Sequence, residues 1–147
     1  MELLPIYEQL EDNEAFVSHP DCQDSLYMSV DFYKKVGFTP PWICYYASIG
    51  GQLVGSAAFK GKPVNNQVEI AYGTFPSFQQ QGIGSAICRE LVRVAQETDP
   101  SIRITARTLP EPNFSTRILQ KNGFEFGGDI MDEEDGLVWE WVYLKGT

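Results

Sequence analysis

The run Gln79-Gln80-Gln81-Gly82-Ile83-Gly84-Ser85-Ala86 separates a strand-like segment, Gln67 to Phe75, from a helical pattern that begins at Gly82. In this order of strand, polar loop and helix, the first amides of the helix have no intrahelical acceptor. The helix dipole adds roughly half a positive charge at the same point. Such a spot binds phosphate or diphosphate. Gly82 and Gly84 would let a bulky anion approach the backbone and would tolerate unusual dihedrals. A lone GxG also occurs in simple turns, so the loop gains meaning only from the elements around it.

Other chemistries are narrowed by what the chain lacks. His19 is the single histidine, which excludes two-histidine metal sites and leaves any Ser-His-Asp or Cys-His hydrolase to be built on one residue before Pro20. We read it as a surface loop residue. Cys22, Cys44 and Cys88 are odd in number, widely spaced and free of a CxxC pair, so neither a disulfide framework nor a zinc site is expected. A reducing, cytoplasmic setting and no metal follow as expectations. The net charge of -9, with no Lys/Arg cluster, disfavours nucleic acid as a partner and suits cationic ones, although the charge can equally serve solubility. No apolar stretch has the length of a membrane span and no signal-like segment opens the chain, so no membrane association is expected.

The 147 residues, 43% hydrophobic and 13% aromatic, suffice for one globular domain over residues 1–147 with its own core. Leu26, Val30, Tyr33 and Val36 at helical spacing predict a helix over Asp21 to Val36, closed by Gly37. Trp42 to Ile49 and Leu53 to Phe59, joined at Gly50-Gly51, predict a hairpin. In the next strand Val68, Ile70 and Tyr72 face one way, and Glu69, Ala71 and Gly73 the other. Ile83, Ile87, Leu91 and Val94 then form a stripe over Gly82 to Glu97, and Ser101 to Thr108 completes a βαβ unit. Asn113-Phe114-Ser115-Thr116 supplies helix-capping residue types before a short helix that Asn122-Gly123 ends. A C-terminal hairpin, Phe124 to Met131 and Leu137 to Leu144, surrounds the acidic run Asp132 to Asp135. Trp139, Trp141 and Tyr143 in its second strand are read as core or as the interface of a homodimer. The fold class expected is α/β with a mixed, mostly antiparallel sheet around a central βαβ unit.

Three of these stretches together resemble the GNAT superfamily of acetyl-CoA-dependent N-acyltransferases. QQQGIGSA is similar to the family's Q/R-x-x-G-x-G/A loop, Val68 to Gly73 to the strand before that loop in the ribosomal-protein N-terminal acetyltransferase branch, and Asn113 to Phe124 to the segment that ends in K-x-G-F. The resemblance implies an acyl-CoA N-acyltransferase fold and acetyl-CoA as cofactor, with coenzyme A as product. It also implies a diphosphate held at Gln79, Gln80, Gln81, Gly82, Ile83, Gly84 and Ser85, and a pantetheine arm along Tyr72, Gly73 and Thr74, where the strand must part from its neighbour and Gly73 is a bulge position. Asn113 and Ser115 are implied cofactor contacts, though their types equally suit a helix cap. Transfer to nitrogen needs a neutral amine, and Glu69 occupies the place of a strand glutamate that serves as base in several members; orienting water or substrate is the other role open to it. Leu119 stands where many members carry a tyrosine, so no general acid is assigned. The expected reaction is direct acetyl transfer to an amine acceptor, a small molecule or a protein N-terminus, in a ternary complex. The acidic run is a candidate attractor for a cationic amine or a solvated loop. The alternatives are a non-catalytic acyl-CoA-binding or sensing module of the same fold, and a dinucleotide-binding domain, which would need its glycine loop earlier in the chain.

Overall fold

The computed structural model describes residues 1–144; residues 145–147, the end of the expected domain span, lie outside the described residues. In chain order the elements are β1 (Glu2–Pro5), α1 (Glu14–Val17), α2 (Gln23–Val36), β2 (Cys44–Ile49), β3 (Gln52–Phe59), β4 (Gln67–Thr74), α3 (Ile83–Thr98), β5 (Arg103–Thr108), α4 (Phe114–Lys121), β6 (Phe124–Asp132) and β7 (Gly136–Tyr143). The helix expected from Asp21 starts at Gln23, because the residues before it close tight turns, His19 N–H on Phe16 and Cys22 N–H on His19. The strand β1 has no counterpart in the sequence reading. It pairs with β2, Leu3 opposite Ala47, and so gains from its neighbour an order that four residues ending in proline do not specify alone.

One seven-stranded sheet runs β1-β2-β3-β4-β5-β7-β6. Every pairing is antiparallel except β4 with β5, the parallel pair that α3 connects. This is the mixed α/β sheet with a central βαβ unit that the pattern predicts.

Alternation along the strands sorts side chains into two faces. On one face the Tyr72 hydroxyl lies against Cys88 of α3, while Ile87, Cys88, Leu91 and Ala95 are fully buried on that helix. Leu119 of α4 and Trp141 of β7 complete this side of the core. The other face carries α2: Tyr33 Oη donates to the Ile6 carbonyl at 2.8 Å, and Ser25 Oγ shares a 2.6 Å hydrogen bond with Tyr46 Oη. Register then places Tyr46, Ser56 and Gly73 in one row across β2, β3 and β4 on the α2 face. Trp141 donates from Nε1 to Thr108 Oγ1 at 3.0 Å, and Trp139 and Tyr143 pack half-buried against the core, so these aromatics are structural in the chain itself.

Candidate active site

The loop before α3 is shaped by two residues in the left-handed region, Gln80 at φ 64° and Gly82 at φ 77°. Gly82 is the N-cap and makes no side-chain cap, so the opening amides of α3 are not closed off by a side chain. Successive amides turned this way form a concavity for an anion. Gln79, Gln80 and Gln81 are exposed, with only a long 3.5 Å contact from Gln79 Nε2 to the Thr74 carbonyl. The side chains of Ile83 and Ser85 are buried, and Ser85 Oγ accepts from Asn122 Nδ2 at 3.0 Å, so these two residues face the loop through their backbone. Gly84 also answers to packing. A Cβ there would sit 3.1 Å from Ile118 Cδ1 and 3.3 Å from Thr74 Oγ1, so its glycine lets α3 approach α4 and the end of β4.

Beside this loop the sheet opens. The parallel register of β4 and β5 ends at Ile70 with Ala106, whereas β4 continues to pair with β3 as far as Thr74. The Glu69 carbonyl accepts from Lys60 N–H, and Phe75 N–H donates to the Val54 carbonyl, so the odd-numbered residues of β4 turn their backbone groups toward β3. Alternation leaves the N–H and C=O of Tyr72 and Thr74 directed at the gap on the β5 side. Tyr72 contributes no side chain there, since its hydroxyl lies against Cys88 and burial pushes its pKa far up. The expected bulge at Gly73 is absent. Gly73 sits in regular register opposite Ser56, and the irregularities fall instead between Ala47 and Ser48 and between Phe126 and Gly128. Close approach of β3 and β4 is achieved by Gly55, where a Cβ would collide with the Gly73 carbonyl oxygen and lie 2.9 Å from Ile87 Cδ1.

Glu69 lies on the α2 face, in the row before this gap, opposite Thr105 of β5. Its carboxylate is 3.9 Å from Lys60 Nζ and 3.6 Å from Arg107 Nε, both beyond hydrogen-bond length. Burial raises its pKa above the usual glutamate value, Lys60 and Arg107 pull it down, and Asp132 and Glu140 push it up again. Arg107 also donates from Nη1 to Asp132 Oδ2 at 2.9 Å and lies 3.7 Å from Glu140. The backbone N–H of Glu134, helped by Arg107 and the N–H of Asp135, holds the Asp132 carboxyl down at about 2. This charged cluster was not read from the sequence. Its only linear signal is the polar face Thr105, Arg107 of β5, and the partners come from three other strands.

On the same face, α2 and the sheet enclose a groove of about 530 Å³, floored by Ser56, Ala58, Ala71 and Gly73 and walled by Met28 and Phe32, with Glu134 at its rim. The acidic hairpin therefore reaches the groove at one residue. Cys22, Cys44 and Cys88 are buried and burial raises all three thiols, Cys88 to about 12, so none is a thiolate nucleophile near neutral pH. His19 is half-buried at the surface and accepts from Asp21 N–H. Asn113 caps α4: its Oδ1 accepts from Thr116 N–H, while Thr116 Oγ1 accepts from Asn113 N–H in return. Ser115 is exposed in the first turn of that helix, and Leu119 is buried in the core with no proton to offer. Among the described residues no group of three His, Cys, Asp or Glu side chains is placed to hold a metal ion, and no helix is long and apolar enough to cross a membrane.

Residues 6–125 match the acetyltransferase (GNAT) domain family. A curated relative, the uncharacterized N-acetyltransferase YjdG of Bacillus subtilis strain 168, is 28% identical over 94 residues, 63% of this chain and 53% of that protein. The match thus spans about half the length of that relative. Among solved structures, the ribosomal-protein alpha-N-acetyltransferase RimL in complex with coenzyme A superposes with a TM-score of 0.68 at 16% identity, covering 97% of this chain and 92% of its own. A spermidine N-acetyltransferase SpeG chimera, in part from Vibrio cholerae, gives a TM-score of 0.71 at 13% identity over 99% of this chain and 96% of its own. At these identities the structures show a shared fold. With most of its length inside the family match, and with the parted β4 and β5 beside an open helix start, the chain belongs to the GNAT acetyltransferase domain family.

Proposed function

We propose that this chain is an acetyl-CoA-dependent N-acetyltransferase that transfers the acetyl group directly to an amine in a ternary complex. The observation that carries the reading is the parting of β4 from β5 after Ile70, immediately beside the uncapped start of α3. These features fit coenzyme A in its two chemically distinct parts. The amides from Gly82 to Ser85 suit the diphosphate, and the N–H and C=O of Tyr72 and Thr74 suit the amides of a pantetheine arm laid along the strand. When bound, acetyl-CoA supplies an activated acetyl thioester. A backbone N–H aimed at its carbonyl is worth about 10²- to 10³-fold in rate, the usual loss when one such donor is removed. Tyr72 and Thr74 are the residues with N–H groups on that side; Gly73 serves as groove floor.

Glu69 is the proposed base. It shares a face with Ala71 and Gly73, no hydrogen bond among the described residues occupies its carboxylate, and burial raises its proton affinity toward that needed to accept a proton from an ammonium, directly or through water. The buried thiols favour direct attack over an acyl-enzyme. The thiolate of coenzyme A, whose thiol has a pKa near the ordinary value of about 8.5, can depart without the acid that Leu119 lacks. Along α2 the acceptor groove presents Met28 and Phe32 beside Ser25, Ser29, Asp31 and Lys35, and Glu134 stands at its rim, which suits an amine attached to a partly apolar or cationic body. RimL and SpeG, by name, act on a ribosomal protein and on spermidine, so both acceptor sizes occur on this fold. Calorimetry with coenzyme A, followed by a screen of amine pools for acetyl-CoA-dependent thiol release, tests the reading. Absence of coenzyme A binding would end it, and binding without transfer to any amine would support a non-catalytic module.

A further inference from the structure

Arg107 is surrounded by carboxylates from three strands: Glu69 of β4, Asp132 of β6 and Glu140 of β7. The bonding is uneven. Nη1 makes a 2.9 Å hydrogen bond to Asp132, but Nε, which is buried, has no hydrogen-bond partner and lies 3.6 Å from Glu69 and 3.7 Å from Glu140. An arginine that served only to tie strands together would be expected to close such bonds, because an unpaired buried donor costs free energy. Here the guanidinium is anchored at one end and holds its positive charge between two carboxylates while bonding to neither.

Asp132 explains the anchor. Its Oδ1 accepts from the backbone N–H of Glu134 at 2.9 Å and of Asp135 at 3.2 Å, so the β6–β7 turn folds around that carboxylate. The turn in question is the one that brings Glu134 to the rim of the groove. Asp132 therefore connects Arg107 to the acceptor side of the site, and Glu69 connects it to the proposed proton acceptor.

Resting on the acetyltransferase reading above, we propose that Arg107 is a positioning residue: it holds its positive charge beside the Glu69 carboxylate without occupying its lone pairs, and through Asp132 it fixes the hairpin at the rim of the groove. The charged groups around Glu69 are Lys60 just after β3, Arg107 from β5, Asp132 from β6 and Glu140 from β7, with Lys62 lining the same depression of about 300 Å³. Without Arg107, Glu69 keeps its burial and both neighbouring carboxylates, and only Lys60, itself half exposed, opposes them. Its proton affinity must then rise.

The direct measurement is a carboxyl 13C NMR titration of protein labelled at glutamate, with the Glu69 signal assigned by its loss in Glu69→Gln. Arg107→Gln should move the Glu69 midpoint up by about one pH unit, the low end for loss of a nearby opposite charge, and Arg107→Lys should move it less. Glu140→Gln should move it down, and if the Arg107→Gln variant fails to fold, the charge-keeping Arg107→Lys, whose shorter ammonium cannot keep both the Asp132 bond and the place beside Glu69, decides the matter. In turnover, the acid limb of the kcat/KM profile should follow the midpoint, acceptor KM should rise in Arg107→Gln, and coenzyme A affinity should hold, with Arg107→Lys recovering part of the loss. A Glu69 midpoint unmoved in folded Arg107→Gln and Arg107→Lys would overturn the proposal, as would a moved midpoint with an unmoved acid limb. No transfer by the wild-type protein would strike the acetyltransferase reading itself, while the titration, which needs no acceptor, still decides whether Arg107 governs Glu69.

Discussion

At the scale of single residues, Glu69 sets function against stability. Its folded-state pKa is raised, so the folded chain binds that proton more tightly than the unfolded chain does. The stability this contributes is fully present below the unfolded value and is lost as pH rises through the folded one. At pH 7 the ionised carboxylate is therefore a cost that burial imposes and Lys60 and Arg107 only partly offset. Glu69→Gln should melt no lower than wild type at pH 7 while kcat falls by about 10²- to 10⁴-fold, the usual contribution of general acid–base catalysis. Thermal melts paired with steady-state rates across pH check both halves, and equal turnover at every pH would remove Glu69 from the mechanism. The cysteines allow a complementary test. Since all three thiols are buried and raised, a thiol reagent should leave Cys22, Cys44 and Cys88 unmodified in the native protein and label them in urea. Recovery of an acetylated cysteine after mixing with acetyl-CoA alone would contradict direct transfer.

At the scale of elements, two glycines do separable work at the cleft. Gly82 occupies the left-handed region with nothing within 4 Å of a Cβ, so Gly82→Ala adds strain of about 1–2 kcal/mol and no clash. Because relief of that strain would rotate the opening amides of α3, coenzyme A affinity should fall as well, and an unchanged Kd by calorimetry would count against the proposed diphosphate site. Gly55 is limited by space instead. Gly55→Ala drives a methyl group into the Gly73 carbonyl and Ile87, and about 1–3 kcal/mol of stability should be lost in a denaturant melt as β3 and β4 move apart.

The same elements show what a linear pattern can hold. α3 was legible because Ile83, Ile87 and Leu91 repeat on one side and glycine precedes them; α4 was legible from its capping residues, which the structure joins in a reciprocal cap. The strand β1 was not, because its order comes from β2. Glu69 could be singled out from its strand position, but Arg107 could not, since register alone sets it beside Glu69, Glu140 and Asp132. The spacing of the loop marks Gly84 as small, but its neighbours Ile118 and Thr74 are ones that no spacing rule connects to it. The bulge expected at Gly73 is absent because the parting of β4 and β5 needs no extra residue: β5 keeps its pairing with β7 through Arg107 and Thr108 while β4 stays with β3.

At the scale of the whole molecule, the net charge of -9 creates a field that favours a cationic acceptor, and the β6–β7 turn concentrates part of it near the groove. Asp132 has to be set apart from its neighbours in testing this. Its carboxyl is held at about 2, so its contribution is present above the unfolded value near 4 and is lost as pH falls toward 2. Asp132→Asn should accordingly flatten the acid side of the melting profile, which is a structural effect on the turn. Glu133, Glu134 and Asp135 carry charge without accepting the hydrogen bonds that shape the turn, which converge on Asp132. Neutralising those three together should leave coenzyme A affinity intact and raise KM for a cationic amine, most strongly at low salt, because charges more than about 8–10 Å apart are screened at physiological ionic strength. If the triple variant and the wild type show the same KM at low salt, the turn is a solvated loop, and acceptor choice must come from the apolar wall that Met28 and Phe32 of α2 present to the groove.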